Sequence, residues 1–171
     1  MKNVVFILLV IFSFSCSEND SKVKETKKET IVRFFPEEIN MNTKFTGVND
    51  SIQLIVKMKS SDKDFVTFSR VSRDTVWEDR YRDNSVELSL SLNQTKFFAK
   101  TFTKHDLLET MPKEFMDQSL IFDVWYESFD PKVEEVKLQM TVCKPETDYC
   151  YFYSIYISVS GTFKIELEEI S

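Results

Sequence analysis

The chain reads as mainly β: an antiparallel β-sandwich or curled sheet with one short helical insertion at about residues 104–118. Three observations predict this. Short runs alternate apolar and polar side chains, the period of a half-buried strand. Clusters of Asn, Asp, Ser and Pro, the residues of tight turns, separate those runs. In one stretch alone the apolar spacing lengthens to that of a helix.

Ile31–Phe35 is the first strand, stopped by Pro36, which has no N–H for a ladder. Ser51–Met58 carries Ile52, Leu54, Val56 and Met58 on one face, between turn-forming Asn49-Asp50 and Ser60-Ser61-Asp62. Phe65–Ser72 and Thr75–Tyr81 are further strands with less regular alternation. Ser85–Leu92 alternates most cleanly, with Val86, Leu88, Leu90 and Leu92 inward, and Asn93-Gln94 turns it into Thr95–Phe102. At Thr103 the period changes. Thr103 and Asp106 form a capping box, a hydroxyl at the N-cap and a carboxylate three residues on. Leu107, Leu108, Met111, Phe115 and Met116 follow at helical spacing, with Pro112 opening a second short helix. Leu120–Phe129 is compatible with helix or strand. Strand is preferred, because Phe122, Val124 and Tyr126 alternate and Asp130-Pro131 ends them. The last strands form a three-stranded meander: Val136, Leu138, Met140 and Val142 share one face, as do Tyr151, Tyr153, Ile155, Ile157 and Val159. Gly161 turns the chain into Thr162–Glu168.

The N-terminus predicts an address. Lys2 precedes Val4–Phe14, an uncharged apolar run. A bilayer span needs about 20 apolar residues, so this shorter run behind a basic start reads as a secretory signal. Ser13-Phe14-Ser15-Cys16 then resembles the bacterial lipobox. The resemblance implies cleavage before Cys16 and lipid on its thiol, making a membrane the partner through Cys16. Ser13 stands where leucine is commoner, and such relaxed boxes resemble those of Bacteroidota. Ser17 departs from the aspartate of inner-membrane retention signals, which implies the outer membrane. Glu18 and Asp20 resemble a short form of the acidic surface-export signal, so periplasmic face and cell surface both stay open. Residues 1–15 are then a signal peptide, 16–30 a flexible tether too polar to bury itself, and 31–171 a single β-rich domain.

Composition excludes several functions. Formal charge is −6, and removing the signal with Lys2 leaves 21 basic against 28 acidic residues, about −7. An acidic chain with no basic stripe is not expected to bind nucleic acid, which needs phosphate neutralisation. Gly47 and Gly161 are the only glycines, too few for a phosphate-cradling loop, so neither nucleotide nor cofactor is expected. His105 is the only histidine and has no ligating partner in sequence, so no metal site is expected. A serine triad would need His105, and no nucleophile elbow exists. Glu134, Glu135, Glu166, Glu168 and Glu169 read as solvated strand edges. Glu146-Thr147-Asp148 lacks the ligand count of a calcium loop.

With Cys16 lipidated, Cys143 and Cys150 remain as one pair in an oxidising compartment. They flank a six-residue turn, Cys143 on the polar face of its strand and Cys150 on the less apolar face of the next, with Phe152, Ser154, Tyr156 and Ser158. Direct pairing across the loop brings them within disulfide reach. This C-x₆-C hairpin resembles the N-terminal periplasmic domain of the transmembrane thiol:disulfide reductant conductor, which implies electron relay. Lys144 alone favours a thiolate there, while Glu146 and Asp148 oppose one, so a structural clip is preferred. Pro145-Glu146-Thr147-Asp148 together with Gly161 resembles a Bacteroidota lipoprotein family of unknown function. Tyr149, Tyr151, Phe152 and Tyr156 form the most aromatic segment and are a candidate patch for a glycan or protein partner. The preferred alternative places the tyrosines in the core and Phe152 and Tyr156 beneath the helical segment. The expectation is a non-catalytic accessory or binding lipoprotein of the envelope, with a thiol–disulfide relay through Cys143 and Cys150 as the alternative.

Overall fold

The computed structural model describes residues 29–47, 52–107 and 109–171. The expected signal peptide, Cys16 and the tether up to residue 28 lie outside the described residues, as does Leu108. The described residues form nine strands and two short helical pieces: β1 (Glu29–Phe35), β2 (Met41–Gly47), β3 (Ile52–Ser72), β4 (Thr75–Leu92), β5 (Thr95–Phe102), a 3₁₀ turn (Lys104–Leu107), α1 (Lys113–Met116), β6 (Leu120–Asp130), β7 (Glu135–Cys143), β8 (Cys150–Ser158) and β9 (Phe163–Ile170). The architecture is mainly β, in two sheets. One has five strands, ordered β1-β4-β3-β2 with β5 also on β4; the other is the antiparallel meander β6-β7-β8-β9.

β3 and β4 form a hairpin far longer than alternation suggests, each merging two expected strands. Its inner half pairs Ile52↔Leu92 through Ser60↔Asn84, and its outer half pairs Phe65↔Arg82 through Ser72↔Thr75. Between them, residues 61–64 oppose Asp83 alone. Ser61 causes this locally: its hydroxyl accepts the N–H groups of Lys63 (3.2 Å) and Asp64 (3.0 Å). A side chain that satisfies nearby donors competes with the ladder, so the expected turn is absorbed as a bulge. The inner half is flanked by β2 and β5, the outer half by β1.

β1 runs parallel to β4, Glu29↔Thr75 to Phe35↔Tyr81. Period-2 alternation is the same in both directions, so sequence pattern could not separate them. β1 also starts at Glu29, so two residues of the expected tether are strand. A Phe35–Pro36 cis peptide follows it.

The core lies between the inner hairpin half and the meander. Ile52, Leu54, Val56, Val86, Leu88 and Leu90 face Val136, Leu138, Met140, Val142, Ile155 and Ile157, all at most 2% exposed. Each side chain so enclosed contributes about 1.5–3 kcal/mol of transfer free energy. The helical insertion is the crossover from β5 in one sheet to β6 in the other. Leu107, Met111, Phe115 and Met116 are buried in the same core. Half of its capping box is formed: Asp106 Oδ2 accepts the Thr103 N–H at 2.8 Å and the Thr103 hydroxyl at 3.2 Å, while the Asp106 N–H donates to the Thr103 carbonyl at 3.0 Å instead of to the hydroxyl. Burial opposes the charge on Asp106, but those bonds and Lys100 together hold its pKa below the ordinary value. Phe122 corrects the expected face of β6. It is 66% exposed while Ile121 is fully buried, because a bulge between Ile121 and Asp123 inserts one unpaired residue and reverses the alternation.

Candidate functional site

Cys143 and Cys150 end β7 and begin β8 as directly opposed partners, with a disulfide between them and Cα atoms 4.1 Å apart. Cys143 is buried and Cys150 half-buried. The six-residue loop is closed by its own hydrogen bonds. The Lys144 N–H donates to the Tyr149 carbonyl (3.0 Å), and the Thr147 hydroxyl donates to the Lys144 carbonyl (3.0 Å). The C-terminal residue clamps the other side: Cys150 and Ser171 exchange backbone hydrogen bonds of 3.1 and 3.0 Å. Lys144, the one nearby cation foreseen as a thiolate partner, lies over the rings of Tyr149 (5.3 Å) and Phe115 (5.6 Å). Glu146 accepts the hydroxyl of Tyr81 from the outer hairpin half. Burial, and then this carboxylate, push the Tyr81 phenol up to about 12. A disulfide among carboxylates, with its lysine drawn onto aromatic faces, has little to stabilise a leaving thiolate.

The outward face of the meander carries the densest polar network. Gln139 donates through Nε2 to Glu127 (2.6 Å), Ser154 Oγ (2.9 Å) and Glu168 (2.9 Å). Lys137 bridges Glu127 (3.1 Å) and Glu168 (2.9 Å), and the Ser154 hydroxyl donates to Glu168. The Ser154 hydroxyl first, then Lys137 and Gln139, hold the Glu168 carboxyl down to about 2. Glu168 in turn raises the Lys137 pKa above its ordinary value. Ser154 is fully buried and touches a carboxylate, which invites comparison with an activated nucleophile. A carboxylate titrating near 2 is far too weak a base at neutral pH to take its proton. The cluster is a cross-strand clasp. Glu168 is exposed on the edge strand β9, as expected of a solvated edge, and there it also ties β9 to β7 and β8.

The aromatic candidates divide between two surfaces. Tyr151 (5% exposed) points into the core, where Phe115 of α1 packs on it at 4.2 Å; Tyr149, 40% exposed, also meets Phe115, at 5.0 Å. Phe152 and Tyr156 lie half-buried on the outward face, Tyr156 beneath Lys164 (4.3 Å). The insertion therefore covers the inward tyrosines, not Phe152 and Tyr156.

His105 is exposed and lines a cleft of about 410 Å³ together with Ser60, Asp62, Asp64, Asp83 and Thr103. Beside the cleft, Lys104 pairs with Asp83 (3.0 Å) and donates to the Ser119 carbonyl (2.9 Å), and both charged side chains are nearly enclosed. Nothing in the alternation marks Lys104 as buried, since lysines are almost always exposed. Among the described residues no group of three or more His, Cys, Asp or Glu side chains is disposed to hold a metal ion.

No curated protein matches the chain. A family model described as a domain of unknown function (DUF4738) matches residues 13–165, a span that includes Cys16 and both hairpin cysteines. Because the match covers most of the chain, from ahead of Cys16 to within β9, this protein belongs to the DUF4738 family.

Proposed function

We propose that this chain is a lipid-anchored lipoprotein of a Bacteroidota-type cell envelope, held on the outer membrane through Cys16. Its β-sandwich serves as a non-catalytic accessory or binding module for a protein or glycan partner. The observation that carries this reading is the cysteine arrangement. Cys143 and Cys150 are joined in a disulfide, the state of an exported protein. Cys16 stands apart behind an apolar run that ends in Ser-Phe-Ser. Several acyl chains on Cys16 hold a protein on a bilayer where one chain does so only marginally. In cells, Cys16→Ser should abolish labelled-palmitate incorporation and move the protein from the membrane fraction to the soluble one. Unchanged labelling and fractionation would remove the anchor from the proposal.

The alternative, a thiol–disulfide relay, draws on the half-buried position of Cys150. The surroundings of the pair favour the structural role, for which the reduction potential should lie below about −300 mV. A markedly higher potential, with mixed disulfides trapped by single Cys→Ala variants, would reverse the choice.

A further inference from the structure

All five arginines of the chain, at positions 33, 70, 73, 80 and 82, fall on β1 or the outer half of the β3–β4 hairpin. Within residues 29–35 and 65–82 they meet four carboxylates; residues 83–171 carry eight lysines against sixteen carboxylates. The molecule is electrically lopsided, an acidic body joined to an arm that is not. The arm is also where the chain enters the domain. Glu29 pairs with Thr75, and its N–H donates to the Asp74 carbonyl at 3.2 Å, so β1 begins beside the turn at the arm's tip. Cys16 lies thirteen residues upstream of Glu29, a length that reaches at most about 45 Å when extended. A lipid on Cys16 would therefore keep the tip within that reach of the bilayer and attach to the domain at the arm instead of at the acidic body.

The tip has the groups for that position. Val71 is 61% exposed, the Arg70 side chain 63%, and Arg73 is exposed in the turn itself. Behind them Trp77 lies under the guanidinium groups of Arg33 (5.2 Å) and Arg70 (5.9 Å). Asp79 is held by Arg33 at 2.6 Å and reached by Arg70 only at 3.9 Å, while Asp74 follows Arg73 in the turn. Arginine presents a planar fork that matches phosphate oxygens, and Trp and Val suit the boundary between headgroups and acyl chains.

We infer that the outer β3–β4 arm is a membrane-docking surface for anionic phospholipid headgroups: Arg70 and Arg73 meet phosphates, Val71 and Trp77 approach the interface, and the acidic body is held away. The inference rests on the anchor reading above for its setting, and its test does not. Because Cys143 and Cys150 are joined, the thiol of Cys16 is free for coupling. The chain from residue 16 onward is attached through that thiol to maleimide lipid in vesicles carrying dansyl headgroups. Trp125→Phe leaves Trp77 on the arm as donor, and Trp77→Phe leaves Trp125 on β6. With phosphatidylglycerol present, energy transfer from Trp77 should exceed that from Trp125 several-fold. The excess should collapse in pure phosphatidylcholine, in high salt, and in the Arg70→Gln/Arg73→Asn double variant. Equal transfer from both tryptophans, or an excess indifferent to lipid, salt and the arginines, overturns the inference. So does arginine-dependent dimerisation of the uncoupled chain, which would assign the arm to a second copy. Failure of palmitate labelling in cells removes the anchor alone, whereas loss of orientation on vesicles removes the docking surface alone.

Discussion

Glu168 owes its low pKa to three neighbours from two other strands, and that makes its contribution to stability pH-dependent. The folded carboxyl titrates at about 2 against an ordinary 4.5. A depressed carboxyl stabilises fully above the unfolded pKa and loses that contribution as pH falls through the folded one. The loss should therefore occur between about pH 4.5 and 2. Melting temperatures of the wild-type chain and Glu168→Gln, measured from pH 7 to 2, should differ at neutral pH and converge at acid pH. Parallel curves would show that the clasp is energetically idle. The cysteine pair gives a second residue-level expectation. Closing so short a loop restricts the unfolded chain by about 2.5 kcal/mol, so Cys143→Ala/Cys150→Ala should melt about 5–10 °C lower. An unchanged melting temperature would deny the clip its role. The pairing of these cysteines was legible, because alternation on either side of the loop places both on one face of the paired strands. The clasp was not. Gln139 and Ser154 become partners through β7–β8 register, and a bulge between Phe152 and Tyr153 offsets Glu168 on β9. Neither register nor bulge is written in composition.

Among the elements, the turn before β9 depends on its glycine. Gly161 sits at φ +88°, and a Cβ there would stand 3.0 Å from the Phe97 carbonyl oxygen. Gly161→Ala should cost on the order of 1–3 kcal/mol, whereas Gly47→Ala, with nothing within 4 Å of its Cβ, should cost less. Urea midpoints of the two variants make the comparison, and equal shifts would contradict it. In the crossover, Phe115 is 4% exposed and packs against Tyr149 and Tyr151. Phe115→Ala should cost about 3–5 kcal/mol; a loss under about 1 kcal/mol would mean that the crossover does not share the core. The insertion, the meander and the inner hairpin half were readable because each keeps one apolar face on a fixed period. β2 was not. Its sequence, Met-Asn-Thr-Lys-Phe-Thr-Gly, offers little alternation, and Met41–Lys44 and Gly47 are exposed on an edge strand. Such a strand is specified by its neighbour's unpaired backbone more than by its own side chains.

Across the whole molecule, one hairpin serves two environments. The inner half of β3 and β4 lies in the common core, while the outer half packs its rings and guanidinium groups against β1, outside that core. Local opening is easiest where buried apolar contact is sparse. Backbone amides of residues 66–72 and 75–82 should therefore exchange with solvent deuterium before those of residues 86–92 and 136–142. Equal protection along the full length of β4 would refute this division. The parallel pairing of β1 with β4 adds a mechanical consequence. A load drawn through the chain upstream of Glu29 acts on β1 at the tip, while the body resists through the far end of β4. Seven rungs, Glu29↔Thr75 to Phe35↔Tyr81, are then strained together in shear, instead of parting singly as in a zipper. A tethered domain dragged by its leash would grip it hardest along the axis of pull.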